Sequence, residues 1–191
     1  MRILAITNLY PRPGHERIAP FNRQQFRALA ESHVVRVLAP VPWHQALRDH
    51  WRRRPTPDHY TNADGIEVNH PIYYYPPGLL RSQYGRFYLR SIRGAVRIAV
   101  REFRPDVLLS CWTHPDGWAA ARLAREYRLP VVLKAIGSDV LVITREARRR
   151  RRIAEALRQS TAVVTVCGDL ADHAVKLGAA PHRVQVVSEG L

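Results

Sequence analysis

The sequence predicts an α/β domain built on a mainly parallel, doubly wound sheet of about seven strands. Short apolar runs alternate with helical patterns along the whole chain. The runs are apolar throughout rather than alternating, as strands covered on both faces must be. One stretch, 105–140, spells a complete unit. Asp106-Val107-Leu108-Leu109-Ser110 reads as a strand, Cys111 to Gly117 as a polar loop and Trp118 to Tyr127 as a helix. Pro130 to Lys134 is a second strand, and Ala135-Ile136-Gly137-Ser138-Asp139 a second loop. A crossover helix makes its two strands parallel, so both loops emerge at the same sheet edge, where ligands of open α/β sheets bind.

The remaining elements follow in order. Ile3 to Ile6 is the first strand, and Thr7 to Pro20 a loop with three prolines and one glycine. Phe21 to Glu31 is a helix with Asn22, Phe26, Leu29 and Ala30 on one side. Val34 to Ala39 is a strand ended by Pro40 and Pro42. Trp43 to Thr61, with Arg52-Arg53-Arg54, reads as a mobile excursion containing a short helix. Asn62-Ala63-Asp64-Gly65 is a turn, and Ile66 to Tyr73 a strand. Arg86 to Arg104 is a long helix. Leu89, Ile92, Val96, Val100 and Phe103 form its core stripe. Arg86, Arg90, Arg93, Arg97, Arg101 and Arg104 form a neighbouring stripe. Arg145 to Gln159 is a helix through five consecutive arginines, 148–152. These go right round the helix, so some must snorkel towards the sheet side or the helix frays. Ala162 to Cys167 is a strand, Asp169 to Leu177 a helix with Gly178 as its C′ residue, and Val184 to Val187 the last strand. All 191 residues are expected to form one domain.

Composition is 46% hydrophobic and 24% charged, which is ordinary for a globular chain. The net charge is +14, and Lys134 and Lys176 are the only lysines, so arginine carries the excess. GC-rich coding is one source of such a skew; attraction to phosphates, acidic polymers or anionic lipid is another. Cys111 and Cys167 form no CxxC pair and read as reduced thiols. No stretch reaches the ~18 apolar residues of a membrane span. Asn8, Pro11 and Arg12 cut the apolar start off before a signal-peptide core. A cytoplasmic protein is expected, with peripheral binding to the inner face of the membrane left open.

Four segments resemble the N-terminal half of family 4 (group 1) glycosyltransferases. They are Ile3 to Pro11 with Phe21 and the helix after it, Arg104 to Gly117, Pro130 to Asp139, and Ala162 to Leu191. The resemblance implies one Rossmann-like half of a GT-B fold: an acceptor-side domain whose nucleotide-sugar partner domain has no counterpart in these residues. It implies a retaining transferase that moves a sugar from a nucleotide sugar to a hydroxyl of a saccharide or lipid-linked acceptor, in polysaccharide, lipopolysaccharide or glycolipid synthesis. The chain alone is expected to be inactive. Three positions depart from the family pattern. Ile136 stands where many members have His, the first loop lacks a Gly-Gly pair, and Glu189 replaces the linker Asn.

The departing diphosphate needs a metal, cations or backbone N–H groups. No Asp-x-Asp and no metal-spaced His–carboxylate pair occurs, which fits a metal-free transferase with no cofactor. No catalytic residue is assigned. The acceptor- or donor-binding candidates are Tyr10, Arg12 and His15 on the first loop, Trp112 and His114 on the second, and Gly137, Ser138 and Asp139 on the third. Asp139 alternatively caps the next helix, His114 alternatively bonds backbone within its loop, and Trp112 alternatively packs at the strand end. Glu189 and Gly190 read as the start of a linker. The arginine stripe 86–104 is a solvated face or a dock for an anionic membrane. The competing reading is a basic, non-enzymatic module binding nucleic acid or an anionic membrane. Helix-turn-helix, zinc-finger and aromatic RNA-binding signatures are all missing, so no specific nucleic-acid partner is expected. A dinucleotide enzyme is set aside, because the first loop has no Gly-x-Gly-x-x-Gly.

Overall fold

A computed structural model describes residues 1–78, 80 and 83–188. Glu189 and Gly190, read above as a linker, lie outside them. The chain divides into two units, Met1–Asp106 and Val107 onward.

In the first unit, β1 (Arg2–Ile6) pairs in parallel with β2 (Val34–Leu38). The connecting helix α1 (Pro20–Ala30) buries Asn22 and Phe26, the centre of the predicted apolar side. Next comes a short strand, β3 (Val41–Pro42), then α2 (Trp43–Trp51) and β4 (His59–Thr61). The stretch 43–61, expected to be a mobile excursion containing a short helix, contains that helix, nine residues long, and also an edge strand. The predicted strand 66–73 is two strands, β5 (Glu67–Asn69) and β6 (Ile72–Tyr73). Pro71 has no N–H to give a ladder, and the His70 N–H turns aside to the Asp58 carbonyl at 2.8 Å. β5 continues the sheet in parallel beside β2, β4 closes it in antiparallel, and β6 pairs instead with β3. The long helix α3 (Tyr84–Phe103), about 30 Å at the usual rise, buries Leu89, Ile92, Val96 and Phe103, with Val100 half-buried. All six arginines of the neighbouring stripe are exposed.

In the second unit, β7 (Val107–Ser110), β8 (Val131–Ala135), β9 (Ala162–Thr165) and β10 (Val184–Val186) form a wholly parallel run in chain order. Their crossovers contain α4 (Trp118–Tyr127), the short α5 (Ser138–Leu141), α6 (Ala147–Gln159) and α7 (Gly168–Lys176). α5 was not expected. Leu108, Leu123, Leu133, Ile153, Leu157 and Val163 are all buried. The arginine run on α6 splits as its geometry demands. Arg148, Arg150 and Arg151 are exposed, while Arg149 and Arg152 are half-buried. The Arg152 guanidinium lies 4.9 Å over the Trp118 ring, which also carries Arg122 at 4.7 Å. Arg152 thus rests on an aromatic face and Arg149 pairs with Glu146 at 2.6 Å, instead of fraying the helix. Ten strands are described, and of their pairings only β4 with β5 is antiparallel. The α/β class and the mainly parallel sheet agree with the sequence reading, with a few more and shorter strands.

Candidate functional site

In the second unit, the loops that leave β7 and β8 meet. Asp139 joins them. Its Oδ1 accepts the N–H groups of Ile136 at 3.1 Å and Gly137 at 2.8 Å, and its Oδ2 accepts the Thr113 N–H at 3.0 Å. The Thr113 hydroxyl donates back to the Asp139 carbonyl at 3.2 Å. The carboxylate is fully buried and spent on three amides, so it offers no surface to a sugar hydroxyl. It fixes the path of two loops. Gly137 has φ 145°, a backbone state in which only glycine is unstrained. Around it the chain presents Ser138 exposed, with Ile136, Gly137 and Trp112 half-buried.

The loop after β7 is tightly folded. Across Thr113–Gly117 the chain kinks, with His114 extended at φ −151° and ψ 128°, and then runs directly into α4. The Gly117 N–H donates to the Trp112 carbonyl at 2.8 Å, and a Cβ at Gly117 would lie 2.8 Å from that same oxygen. His114 is buried. Burial, then the positive charges of Arg152 and Arg149, push its imidazole down to about 3. It is a neutral group at ordinary pH. Expected as an acceptor contact, it sits beneath the loop instead.

In the first unit, the loop after β1 is held by a charged cluster. Tyr10 is buried and stacks on Phe26 with ring centroids 5.5 Å apart. Its hydroxyl accepts from the Asn62 amide at 2.9 Å, and burial raises its pKa. Arg12, also buried, donates to Gln45 at 3.0 Å, to Asp49 at 3.3 Å and to Thr56 at 3.2 Å. His15 Nε2 lies 3.1 Å from both Asp49 oxygens. Burial alone would push the Asp49 carboxyl up, but hydrogen bonds from His15 and Arg12 hold it below the usual range. Of the three first-loop candidates, Tyr10 and Arg12 therefore carry the loop, and half-buried His15 is the one with an open side.

Sequence reasoning missed Asp49, Gln45, Thr56 and Thr113. The first three lie in the stretch read as mobile, 33 or more residues from Arg12, and no local pattern links them. Thr113 acts through its amide, which every residue but proline has. Among the described residues no group of three or more His, Cys, Asp or Glu side chains is arranged to hold a metal ion. No described helix is long and apolar enough to cross a membrane.

Comparison with known proteins agrees with this architecture. Over 188 residues the chain is 29% identical to TuaC of Bacillus subtilis, a protein named as a teichuronic acid biosynthesis glycosyltransferase, covering 93% of this chain and 47% of that protein. Sucrose-phosphate synthase from Thermosynechococcus elongatus superposes with a TM-score of 0.65 at 8% identity, over 98% of this chain and 48% of that one. Anabaena HepE in complex with UDP-glucose superposes with a TM-score of 0.60 at 12% identity, over 100% of this chain and 44% of that one. At such identities the two structures attest the fold alone. The chain spans about half the length of these relatives. The model of the glycosyl transferase 4-like domain matches residues 18–190, and this chain belongs to that family.

Proposed function

We propose that this chain is the acceptor-side half of a retaining, metal-independent glycosyltransferase. In this reading all 191 residues act as one N-terminal domain, and a nucleotide-sugar domain follows it. The enzyme moves a sugar from a nucleotide donor to a hydroxyl of a saccharide or lipid-linked acceptor, in polysaccharide, lipopolysaccharide or glycolipid synthesis. The supporting observation is the Asp139 carboxylate, which ties the loops after β7 and β8 into one platform at the carboxyl ends of parallel strands, where α/β sheets bind ligands. The family, TuaC's named role and the UDP-glucose held by HepE favour this chemistry.

The geometry divides the labour. Exposed Ser138 and half-buried Gly137 and Trp112 supply the accessible surface of the platform, and half-buried His15 that of the first loop. Tyr10, Arg12, His114 and Asp139 hold those surfaces in place. The Ile136 and Gly137 amides already donate to Asp139, so they are not available to a departing diphosphate. In this reading stabilisation of that charge falls to the following domain, without a metal. The protein works in the cytoplasm at the inner face of the membrane, with the arginine stripe of α3 towards anionic lipid.

The test uses labelled nucleotide sugars with the chain alone and with the full-length gene product. Transfer by the full-length protein alone is expected, with the donor's anomeric configuration kept and no loss on chelation. Turnover by the chain alone would overturn the two-domain reading, and an inverted product would overturn the retaining one.

A further inference from the structure

α2 is an amphipathic helix that stands inside out. Its polar residues Asp49 and Gln45 face inwards to Arg12, and its Trp43 indole donates to the Tyr75 carbonyl at 2.9 Å. These contacts lock the helix onto the first unit. On its outer face Leu47 is 43% exposed and Trp51 78% exposed. They are four residues apart and so lie on one face. Arg48, Arg52, Arg53 and Arg54 surround them, all exposed. The arginines after the helix are not on a loose tail. The N–H groups of Arg52, Arg53 and Arg54 donate to the carbonyls of Arg48, His50 and Asp49 at 2.9–3.0 Å. None of the ion pairs among the described residues involves any of the four arginines.

We infer that this face is an insertion surface for an anionic lipid bilayer, with Trp51 and Leu47 entering the headgroup boundary and the arginines binding lipid phosphates. The inference rests on the membrane reading above and names a different element from the α3 stripe as the anchor. Its chemistry is that of an interfacial helix: one aromatic and one aliphatic side chain ringed by cations. Tryptophan prefers the membrane–water boundary, where its ring is sheltered and its N–H stays wet. A protein partner fits less well. Two apolar side chains fall far short of the roughly 800 Å² per partner that a stable interface buries. The α3 stripe has no comparable wedge. Ile98 is its one large exposed apolar side chain among the described residues, so α3 adds long-range attraction without insertion.

The test is sedimentation of the protein with vesicles of phosphatidylcholine, or of phosphatidylcholine and phosphatidylglycerol in equal parts. Wild type is expected to bind the mixed vesicles, and the double variant Leu47→Ala/Trp51→Ala to bind at least about tenfold more weakly. Both positions are exposed, so circular dichroism should be unchanged. On mixed vesicles the tryptophan emission should shift to the blue in wild type and not in Trp51→Phe. Equal binding by wild type and the double variant would overturn the α2 assignment while leaving the membrane reading intact. Loss of binding in Arg90→Glu/Arg97→Glu but not in the α2 variant would move the anchor to α3. No binding of wild type to either vesicle would overturn both readings. A lipid-free dimer abolished by the double variant would assign the face to a second copy instead.

Discussion

The loop after β1 and the loops after β7 and β8 are each pinned by one buried carboxylate, but the two carboxylates hold different things. Asp49 grips side chains, the Arg12 guanidinium and the His15 imidazole. Asp139 grips backbone, the N–H groups of Thr113, Ile136 and Gly137. A tie between side chains can loosen while the chain keeps its course. A tie to amides is part of the course itself. The first loop is therefore the adjustable one, and the platform after β7 and β8 the rigid one.

The sharpest way to break this contrast is Asp139→Ala. One buried amide, that of Thr113, and the half-buried amides of Ile136 and Gly137 would lose their acceptor, and each unsatisfied buried group costs about 1–3 kcal/mol. A loss of at least about 3 kcal/mol in urea unfolding is expected, together with faster hydrogen exchange across 111–117. A loss under about 1 kcal/mol would show that the platform does not depend on the carboxylate.

An acid effect acts on the same platform. Above pH ~6.5 the His114 imidazole is neutral folded and unfolded, so it contributes no pH dependence. From there down to about 3 the unfolded state takes up the proton and the folded state does not. Stability should fall by about 1.4 kcal/mol for each pH unit through that window as pH drops. His70, buried in the first unit with its pKa lowered by burial, acts in the same direction. The diagnostic quantity is thus the difference in slope between wild type and His114→Gln, measured by denaturation at several pH values. Identical slopes would remove His114 as a source.

The smallest effect belongs to the first loop. Asp49→Asn keeps the shape but removes the charge. Arg12 keeps its bonds to Gln45 and Thr56, so a loss of about 2 kcal/mol is expected, short of what breaking an unsupported buried pair costs. The sign with pH runs the usual carboxylate way. Asp49's contribution is complete above pH ~4 and is lost as pH falls through its lowered folded pKa. The variant should lack that acid loss. Exchange across 11–18 should quicken while 111–117 stays protected, and quickening in both would erase the distinction between the two ties.

Much of the scaffold was legible before any coordinates. The apolar runs and the crossover logic placed the loops after Ser110 and Lys134 side by side, and the Thr113–Asp139 hydrogen bond joins them there. α4 lies at the predicted residues, and the core stripe of α3 is buried apart from half-buried Val100. Burial of individual polar residues was not legible. Tyr10, Arg12, His114 and Asp139 look like ligand contacts in a sequence, because polar residues in loops at a sheet edge usually face solvent. Here Tyr10 and Arg12 are turned inwards by partners that no spacing rule reveals, Asn62 and Asp49, while His114 is buried and Asp139 bonds mainly to its own turn, near the capping alternative. In the stretch 43–61 the short helix was legible, but its ties to Arg12 were not, for the same reason. Its order comes from distant partners, and local composition reports only that it is basic and aromatic.

The turn Ile136-Gly137-Ser138-Asp139 carries a lesson for engineering and for evolution. Residues 137 and 139 are committed, one by its backbone angle and the other by its three amides. Position 136 contributes its N–H and a half-buried side chain, and Ser138 contributes its carbonyl to the Val142 N–H at 2.9 Å while its side chain is exposed. The side chain at 138 is thus free to vary without disturbing the bonds beneath it, and that at 136 is free on one side. A randomised library that varies 138 freely and 136 among side chains of similar bulk is the economical place to retune selectivity.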